Sequence, residues 1–288
     1  MKAFIKRMAE NVQRFLGTSE LVKVQTIQQV NEYERLRSVL MDEMPQSVAL
    51  YGRKVYSQTD EDGIIEEIFN RIPNNKTFLE IGIQTGIECN THYLLLKGWK
   101  GVWIEGSKTY CDVMEKALSG TNFPDKLSVV NSFIDKENII GIFKEAHSFL
   151  KTKELDFFSL DIDGNDFYIM ENLLNNGFTP KVVCVEYNAK FPPPLKMKIA
   201  YNQNNIWDYT DYMGCSLQDY IELFTKNDYT LICCNITGIN AFFVRNEYAS
   251  LFGLYAPEKF YQPYRFYLSP IIAHHKPSLK FLRDLLRR

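Results

Sequence analysis

The segment Phe78–Gly86 has the sequence FLEIGIQTG, and Val102–Glu105, with the sequence VWIE, follows it along the chain. The first segment has the apolar pattern of a buried strand that leads into a Gly-x-x-x-Gly turn, and the second is a short apolar strand that ends on a carboxylate. Glycines let a backbone approach a ligand closely, and a carboxylate at the tip of the next strand can accept both hydroxyls of a ribose. Two consecutive strands therefore predict a nucleotide pocket formed by Gly82, Gly86 and Glu105.

The glycine turn departs from the pattern of a dinucleotide site. Such a site has the pattern Gly-x-Gly-x-x-Gly, with the pyrophosphate at a helix N-terminus. Gln84 stands at the position of the middle glycine, and the sequence has no P-loop Gly-Lys-Ser/Thr. The turn is therefore expected to bind an adenosine ligand without a pyrophosphate. A nicotinamide or other nucleotide binder, and a Rossmann-like sheet whose glycine turn is only structural, are the alternatives.

Glu80 precedes Gly82 by two residues, which gives the pattern Glu-x-Gly-x-x-x-Gly. With this turn the chain resembles the class I S-adenosylmethionine-dependent methyltransferases, and among them the FkbM-like branch. The matching segments, which lie between about residues 50 and 248, are Tyr56–Gly63, Glu80–Gly86, Glu88–Thr91, Glu105–Ser107, Leu160–Gly164 and Val185–Asn188. The resemblance implies an α/β fold, a Rossmann-like methyltransferase sheet that is mostly parallel with one antiparallel strand.

The order of the predicted elements agrees with this fold. From residue 60 onward helices alternate with strands, which is typical of a parallel sheet with helices on both faces. The predicted parallel strands are 77–82, 101–105, 127–131, 157–162 and 182–187. Two last strands, 229–234 and 241–245, have a short connection and are expected to pair in antiparallel fashion.

The methyltransferase domain is placed at residues 46–275. Two irregular insertions, near 188–215 and 253–275, are candidates for the acceptor pocket, because long irregular loops in compact domains are usually lids or binding loops. Ordinary packing of their aromatic residues over the sheet is the alternative.

Both ends of the chain have helical patterns. Residues 1–45 are predicted to form an N-terminal helical extension, which either packs on its own domain or forms a homodimer. Residues 276–288 are predicted to form a basic amphipathic helix with Leu279, Leu282, Leu285 and Leu286 on one face. Such a helix can dock on its own protein or make peripheral contact with an anionic membrane.

Composition excludes several classes of protein. Lys and Arg number 33 and Asp and Glu 35, a net charge of −2, so no basic field attracts nucleic acid. The six cysteines form no Cys-x-x-Cys pair, which argues against zinc, and their scatter suits a reducing, cytoplasmic location. No apolar run reaches the ~18 residues of a transmembrane helix, and the first residues lack the apolar stretch of a signal peptide.

The resemblance implies which residues bind S-adenosylmethionine. Gly82 and Gly86 would allow close approach, and Glu105 would bind the ribose. The other expected cofactor residues are Ser57, Gln58, Glu80, Thr91, Asn131, Ser132 and Asp161. Of these, Asn131 or Ser132 is expected beside the adenine and Thr91 at the methionine carboxylate.

Acidic residues follow the fourth and fifth predicted strands, whose tips are neighbours in this fold. Open parallel sheets bind ligands at this edge. Oxygen ligands from Asp161 or Asp163, together with Glu186 or Asn188, are predicted to hold Mg²⁺ or Mn²⁺, which would lower the pKa of an acceptor hydroxyl. The alternative is that Asp161 only orients the methionine end of the cofactor and Asp163 caps the next helix.

Methyl transfer requires alignment of donor and acceptor and removal of a proton. The candidate catalytic residues are Asp161, Asp163 and His92, although packing beside the cofactor is the stronger expectation for His92. The residues expected at the acceptor are Trp207, Tyr209 and Arg265, whose rings and cation suit a sugar or a sugar nucleotide.

The predicted function is therefore S-adenosylmethionine-dependent O-methylation of a small hydroxylated acceptor. A sugar, or a sugar-bearing precursor of a surface glycan or secondary metabolite, is what the resemblance implies. An N-methyltransferase, a nicotinamide-dependent oxidoreductase and a non-catalytic module that uses the N-terminal helices to bind partners are the alternatives.

Overall fold

A computed structural model of the chain describes residues 6, 8, 18–121, 123–152, 154–268 and 277–287. Its centre is a seven-stranded sheet. The strands are β1 (Thr77–Ile81), β2 (Lys100–Glu105), β3 (Leu127–Asn131), β4 (Phe157–Leu160), β5 (Val182–Glu186), β6 (Tyr229–Cys234) and β7 (Asn240–Arg245). Most of their residues are buried on both faces, as their continuous apolar sequences predict.

The strand order is β3-β2-β1-β4-β5-β7-β6. Strands β1 to β5 pair in parallel, and β7 runs antiparallel to both β5 and β6. This arrangement confirms the predicted Rossmann-like methyltransferase sheet with one reversed strand. The order changes direction between β1 and β4, and open α/β sheets bind ligands above such a switch point, outside the carboxyl ends of the strands.

Helices connect the strands and cover both faces of the sheet, because right-handed crossovers in the two directions from β1 place them on opposite sides. The described helices are α1 (Thr18–Glu43), α2 (Glu61–Arg71), α3 (His92–Leu96), α4 (Lys108–Leu118), α5 (Phe123–Lys126), α6 (Ile139–Leu150), α7 (Asp166–Asn175), α8 (Leu217–Lys226), α9 (Pro257–Phe260) and α10 (Lys280–Leu286). The capping residues Ser107 and Ser216 begin α4 and α8.

A buried ion pair fixes the amino edge of the sheet, opposite the ligand-binding edge. The Asp156 carboxylate accepts hydrogen bonds from the Asn75 and Thr77 backbone N–H groups, each at 2.9 Å, and lies 2.9 Å from the Lys181 ammonium. Asp156, Asn75 and Lys181 lie just before β4, β1 and β5, and Thr77 is the first residue of β1. The pair therefore joins the starts of three adjacent strands.

Helix α1 is only partly an appendage. Tyr33, Leu40 and Met44, in its second half and just beyond its end, are buried in the domain core. The Tyr33 hydroxyl also donates to the Asp60 carboxylate at 2.9 Å. The predicted boundary at residue 45 therefore separates residues that pack together, and most of the helical pattern predicted for 1–17 lies outside the described residues.

The C-terminal helix docks on its own protein. Leu279, Leu282 and Leu286 are buried, and α10 packs against α3 and α4. The apolar face that was expected to be able to contact a membrane is thus covered by the chain itself. Among the described residues, no helix is both long and apolar enough to cross a bilayer.

Candidate functional site at the carboxyl edge of the sheet

The glycine turn after β1 has three residues with positive φ, at Gly82, Gln84 and Gly86. A Cβ atom on Gly82 would lie 1.5 Å from the Asp161 carbonyl oxygen, and one on Gly86 would lie 2.6 Å from the Trp103 ring. Both glycines are therefore required by the packing of the protein itself. Their role beside a ligand stays a prediction.

Glu105, at the tip of β2, is tied to the glycine turn. One carboxylate oxygen accepts a hydrogen bond from the Gln84 N–H at 2.7 Å, and the other accepts from the Ser107 N–H at 2.8 Å. Both contacts are made by backbone groups of turns at the carboxyl edge. Glu105 is thus held rigidly where the sequence predicts a ribose, although its carboxylate is largely buried.

The strand register places the site residues in one row. Trp103, Glu80 and Ser159 are neighbours across β2, β1 and β4. Because side chains on one face of a strand recur every second residue, the next row on that face contains Glu105, Gly82 and Asp161. A glycine therefore lies between two carboxylates at the carboxyl edge, and the Asp161 carbonyl fills the place that a side chain on residue 82 would take.

The row beneath Glu105, Gly82 and Asp161 is a buried, hydrogen-bonded layer. The Glu80 carboxylate accepts from the Asn90 N–H at 2.8 Å, and from the Thr91 N–H at 3.0 Å and hydroxyl at 2.5 Å. The Trp103 indole donates to the Thr91 hydroxyl at 2.7 Å. Glu80 and Thr91 are thus hydrogen-bonded within the protein and support the glycine turn from below. Their direct contact with a cofactor stays a prediction.

Ser57 is also engaged internally. Its hydroxyl and its backbone N–H donate to the Asp62 carboxylate at 2.9 and 2.8 Å, and the Tyr56 N–H donates to the same oxygen at 2.6 Å. Ser57 is fully buried, whereas Gln58 beside it is partly exposed. Of these two predicted cofactor residues, only Gln58 has a side chain at the surface.

His92 lies under the Tyr56 ring, stacked on it with a centroid separation of 3.8 Å. Burial lowers the pKa of His92 to about 4, and its ring nitrogens have no hydrogen-bond partner among the described residues. A fully buried, neutral imidazole cannot reach an acceptor in this conformation. The geometry therefore favours packing beside the glycine turn, and not the role of general base.

The region after β3 lies beside the tip of β2. The Asn131 amide donates to the carbonyls of Glu105 and Gly106 at 2.9 and 3.2 Å, and the Ser132 N–H donates to the Glu105 carbonyl at 3.0 Å. Phe133, which the sequence analysis missed, is half-exposed. A Cβ atom on Gly106 would lie 3.4 Å from its ring. Its signal in the sequence is an aromatic residue directly after a strand tip.

A cluster of three carboxylates lies beyond β4 and β5. Oxygen atoms of Asp161, Asp163 and Glu186 are all within 4.8 Å of one another. Burial, and then the charge of neighbouring carboxylates, raise the pKa of Asp161 and Glu186 well above the usual range. The sequence predicts that these three residues lie together, as they do in the structure. We call them the carboxylate cluster.

Asp166 keeps the cluster in shape. Its carboxylate accepts from the Ile162 and Gly164 N–H groups, each at 2.8 Å. Asp163 lies between these residues with a φ of 55°, a conformation that Asp tolerates better than most residues. The turn is therefore held by Asp166, so the alternative in which Asp163 caps the helix is not what the structure shows.

Asn188, the fourth predicted metal ligand, has other partners. Its amide nitrogen donates to the carbonyls of Asp211 and Met213 at 2.9 and 3.1 Å, and its amide oxygen accepts from the Lys190 N–H at 3.2 Å. The side chain thus holds the two ends of the first insertion together. This engagement favours the three carboxylates over Asn188 as metal ligands.

Two of the three predicted acceptor residues lie together, since the Trp207 and Tyr209 rings have centroids 4.9 Å apart, and Arg265 belongs to the other insertion. The Trp207 indole donates to the Thr210 carbonyl at 2.7 Å, and Tyr209 is 85% exposed. Arg265 donates from its guanidinium to the Ile236 carbonyl at 2.6 Å and to Gln262 at 2.9 Å. Arg265 therefore braces the β6–β7 turn from within, and its role at an acceptor stays a prediction.

No protein-family model and no curated protein sequence matches this chain. Several solved structures have a similar fold. A putative caffeoyl-CoA O-methyltransferase from Staphylococcus aureus is 17% identical, with 80% of this chain and 99% of that chain covered and a TM-score of 0.44. For the O-methyltransferase from Bacillus cereus in complex with SAH, the identity is 13%, the coverage 75% and 89%, and the TM-score 0.41.

The glycopeptide N-methyltransferase MtfA, complexed with S-adenosyl-L-methionine, is 11% identical. The alignment covers 64% of this chain and 93% of that chain, with a TM-score of 0.39. At these identities and TM-scores the likeness does not bear on substrate or reaction. The function must be inferred from the site itself.

The carboxylate cluster predicts a pH-dependent stability. Because the folded-state pKa of Glu186 is raised, the folded protein holds this proton more tightly than the unfolded chain. This stabilisation is complete below the ordinary carboxyl pKa of about 4 and is lost as the pH rises through the raised value. Glu186→Gln should therefore increase the free energy of unfolding more at about pH 8 than at about pH 5.

Denaturant unfolding in the presence of a chelator measures this difference. Asp125→Asn is the control, because Asp125 is exposed. An equal effect of Glu186→Gln at both pH values would show that the cluster does not hold an extra proton.

Proposed function

We propose that this chain is an S-adenosylmethionine-dependent methyltransferase whose cofactor lies over the carboxyl edge of the sheet, with Glu105 on one side and Asp161 on the other. The observation that carries the proposal is the row Glu105, Gly82 and Asp161 at the switch point of the sheet. A carboxylate at the tip of β2 suits a ribose, and one at the tip of β4 suits the ammonium group of a methionine. Phe133 lies beside the tip of β2, where its half-exposed ring could stack on an adenine.

The same geometry argues against a nicotinamide dinucleotide. A pyrophosphate needs free backbone N–H groups at the helix that follows the glycine turn. At the start of α3, the N–H groups of Asn90 and Thr91 already donate to the Glu80 carboxylate. A pyrophosphate would therefore meet a buried negative charge in place of open donors.

S-Adenosylmethionine supplies a methyl group already activated on a sulfonium. The chain's own residues have to orient the acceptor and hold or remove its proton. The carboxylate cluster lies beside the proposed cofactor site, and Asp161 belongs to both. Its oxygens can accept a hydrogen bond from an acceptor hydroxyl, and a carboxylate of raised pKa is a suitable recipient for the proton.

A divalent cation fits the carboxylate cluster. Three partly buried carboxylates whose oxygens lie within 4.8 Å of one another repel one another, and oxygen donors of this kind are what Mg²⁺ and Mn²⁺ prefer. Asp161, Asp163 and Glu186 would hold the ion, which would lower the pKa of an acceptor hydroxyl. We therefore propose O-methylation, of the kind expected for the FkbM-like branch, and place N-methylation second.

Removal of the Glu105 carboxylate should weaken binding of S-adenosylhomocysteine. Glu105→Ala deletes a charge-assisted pair of hydrogen bonds to the ribose, a loss of about 1.5–3 kcal/mol, or roughly 10- to 150-fold in Kd. Isothermal calorimetry measures the affinity, with the exposed Asp112→Ala as the control. Equal affinities for Glu105→Ala and the unaltered protein would remove the ribose from this position.

The metal proposal can be tested without turnover. Manganese bound to the chain is counted by its electron paramagnetic resonance signal. Asp163→Asn and Glu186→Gln should each weaken Mn²⁺ binding by at least about tenfold, because each removes a charged ligand. Asn188→Ala should bind Mn²⁺ like the unaltered protein, since its amide is engaged in the loop.

An unaltered protein that fails to retain Mn²⁺ would overturn the metal proposal and favour N-methylation, in which the carboxylates receive the proton of an amine.

We also propose that the first half of α1 mediates self-association. Val22, Val24, Ile27 and Val30 are exposed there, whereas the second half of the helix is part of the core. Ile27→Glu should shift sedimentation to a smaller species, and Val113→Glu, an exposed apolar position on α4, should not. If Ile27→Glu sediments like the unaltered protein, α1 has no such role.

A further inference from the structure

A groove lies at the amino edge of the sheet, the edge opposite the carboxylate cluster. It has a volume of about 210 Å³ and is walled by α2, by the end of α3 and by the residues just before β1 and β2. Its floor consists of three side chains that belong to residues at least nine-tenths buried, Phe69, Leu94 and Trp99. The volume is below the roughly 300–1,000 Å³ of sites for drug-sized ligands, so the groove suits a small molecule.

The floor of the groove is held in place by aromatic packing. The Phe69 and Trp99 rings meet edge to face, with centroids 4.7 Å apart and an interplanar angle of 69°. Phe69 also meets the ring of Phe157, in β4, edge to face at 5.9 Å. Asn74 closes the end of α2, since its amide nitrogen donates to the carbonyls of Phe69 and Ile72 at 3.1 and 3.0 Å. The shape of the groove is therefore fixed by the core and by a closed helix end.

One hydrogen-bond donor in this floor has no partner within the described part of the chain. The Trp99 indole N–H bonds to no described residue, and it is not fully enclosed, as the unpaired His92 nitrogens are. Only 4% of Trp99 is exposed and the residue lines the groove, so the groove is the space into which this N–H opens.

The other two tryptophans have partners within the chain. Trp103 donates to the Thr91 hydroxyl and Trp207 to the Thr210 carbonyl, each at 2.7 Å. A buried indole N–H usually finds such a partner. The Trp99 N–H is therefore left for a molecule in the groove.

The rim of the groove has an excess of positive charge. Among the described residues that line it, Glu66 is the one acid, and its two carboxylate oxygens are paired with the Arg53 guanidinium and the Lys97 ammonium. Lys76, also in the rim, has no ion-pair or hydrogen-bond partner for its ammonium in the described part of the chain. One carboxylate is thus set against three cations, so the rim favours an anion.

The backbone fixes the position of Lys76. Its φ is 61°, a left-handed conformation that costs energy for a residue other than Gly. The N–H groups on both sides of it, those of Asn75 and Thr77, each donate to the buried Asp156 carboxylate at 2.9 Å. Its own carbonyl accepts from the Lys100 N–H at 2.9 Å. The residue that brings an unpaired ammonium to the rim is thus anchored to the amino edge of the sheet.

We propose that this groove binds a small organic carboxylate with an apolar body, at a site separate from those of the cofactor and the acceptor. The carboxylate accepts hydrogen bonds from the Trp99 N–H and the Lys76 ammonium, and charge-assisted bonds of this kind are the strong ones. The apolar body packs on Phe69 and Leu94. The inference goes beyond the proposed function and does not depend on it.

Other small ligands fit the groove less well. A neutral apolar molecule would leave the excess positive charge of the rim without a partner. Inorganic phosphate would pair with the cations but would leave the aromatic floor in contact with water. A carboxylate on an apolar body satisfies both parts of the groove.

Benzoate is the probe for this site, with benzamide as its neutral counterpart and inorganic phosphate as an anion without an apolar body. The three tryptophans of the chain give three indole N–H signals in a ¹H–¹⁵N NMR spectrum of the labelled protein. Benzoate should shift the signal that Trp99→Phe removes, whereas the signals of Trp103 and Trp207, already hydrogen-bonded, should move little. Benzamide and phosphate should each bind at least about fivefold more weakly, because each lacks one of the two kinds of contact.

Lys76→Met keeps most of the side chain and removes its charge, so it should weaken benzoate binding by about fivefold or more. The titration of this variant needs no Trp99 variant. Lys144→Met is the matched control, because Lys144 is an exposed lysine of α6 outside the groove, and it should bind benzoate like the unaltered protein.

Three results would each overturn the proposal. An unshifted Trp99 signal would show that the groove holds only water. Equal binding of benzoate and benzamide, or of benzoate to Lys76→Met and the unaltered protein, would show that no carboxylate is recognised there. Displacement of benzoate by S-adenosylhomocysteine would show that the two share one site.

Discussion

The contact between Gly82 and the Asp161 carbonyl constrains the whole site. Strands β1 and β4 approach so closely at their tips that a Cβ on residue 82 would lie 1.5 Å from that oxygen. Gly82 also lies between Glu105 and Asp161 in one row across the sheet. One glycine thus permits the close approach of the strands and stands at the centre of the proposed cofactor site. Replacing it would disturb both.

The hydrogen-bonded layer below this row explains why the backbone of the glycine turn keeps its conformation. Glu80 receives donors from the start of α3, and the Thr91 hydroxyl connects it to the Trp103 indole. A buried carboxylate is costly unless hydrogen bonds satisfy it, so these donors also determine where α3 begins. The glycine turn therefore lies between a fixed helix start and the Glu105 carboxylate, which leaves little freedom for its backbone. Such a site is preorganised for a ligand of defined shape.

The sequence was sufficient for features that depend on short-range pattern. Apolar runs placed the strands to within a residue or two, and the parallel order brought Asp161 and Glu186 to one edge, as the structure confirms. It was insufficient for side chains whose partners lie far along the chain. Arg265 bonds to a carbonyl 29 residues away, and Asn188 to carbonyls more than 20 residues away. No local pattern reveals such partners, so the sequence alone could not show that these polar loop residues are hydrogen-bonded within the protein.

The buried carboxylates of this edge differ in one respect that bears on function. Glu80, Glu105 and Asp166 each accept backbone N–H groups, so the fold itself compensates their burial. The nearest polar neighbours of Asp161 and Glu186 include each other and Asp163, an arrangement that costs stability when all are charged. A structural role would be better served by satisfied or apolar side chains, as at the other positions. The cation and the hydroxyl-bearing acceptor that we propose for this site would supply the charge and the donors that the chain itself withholds.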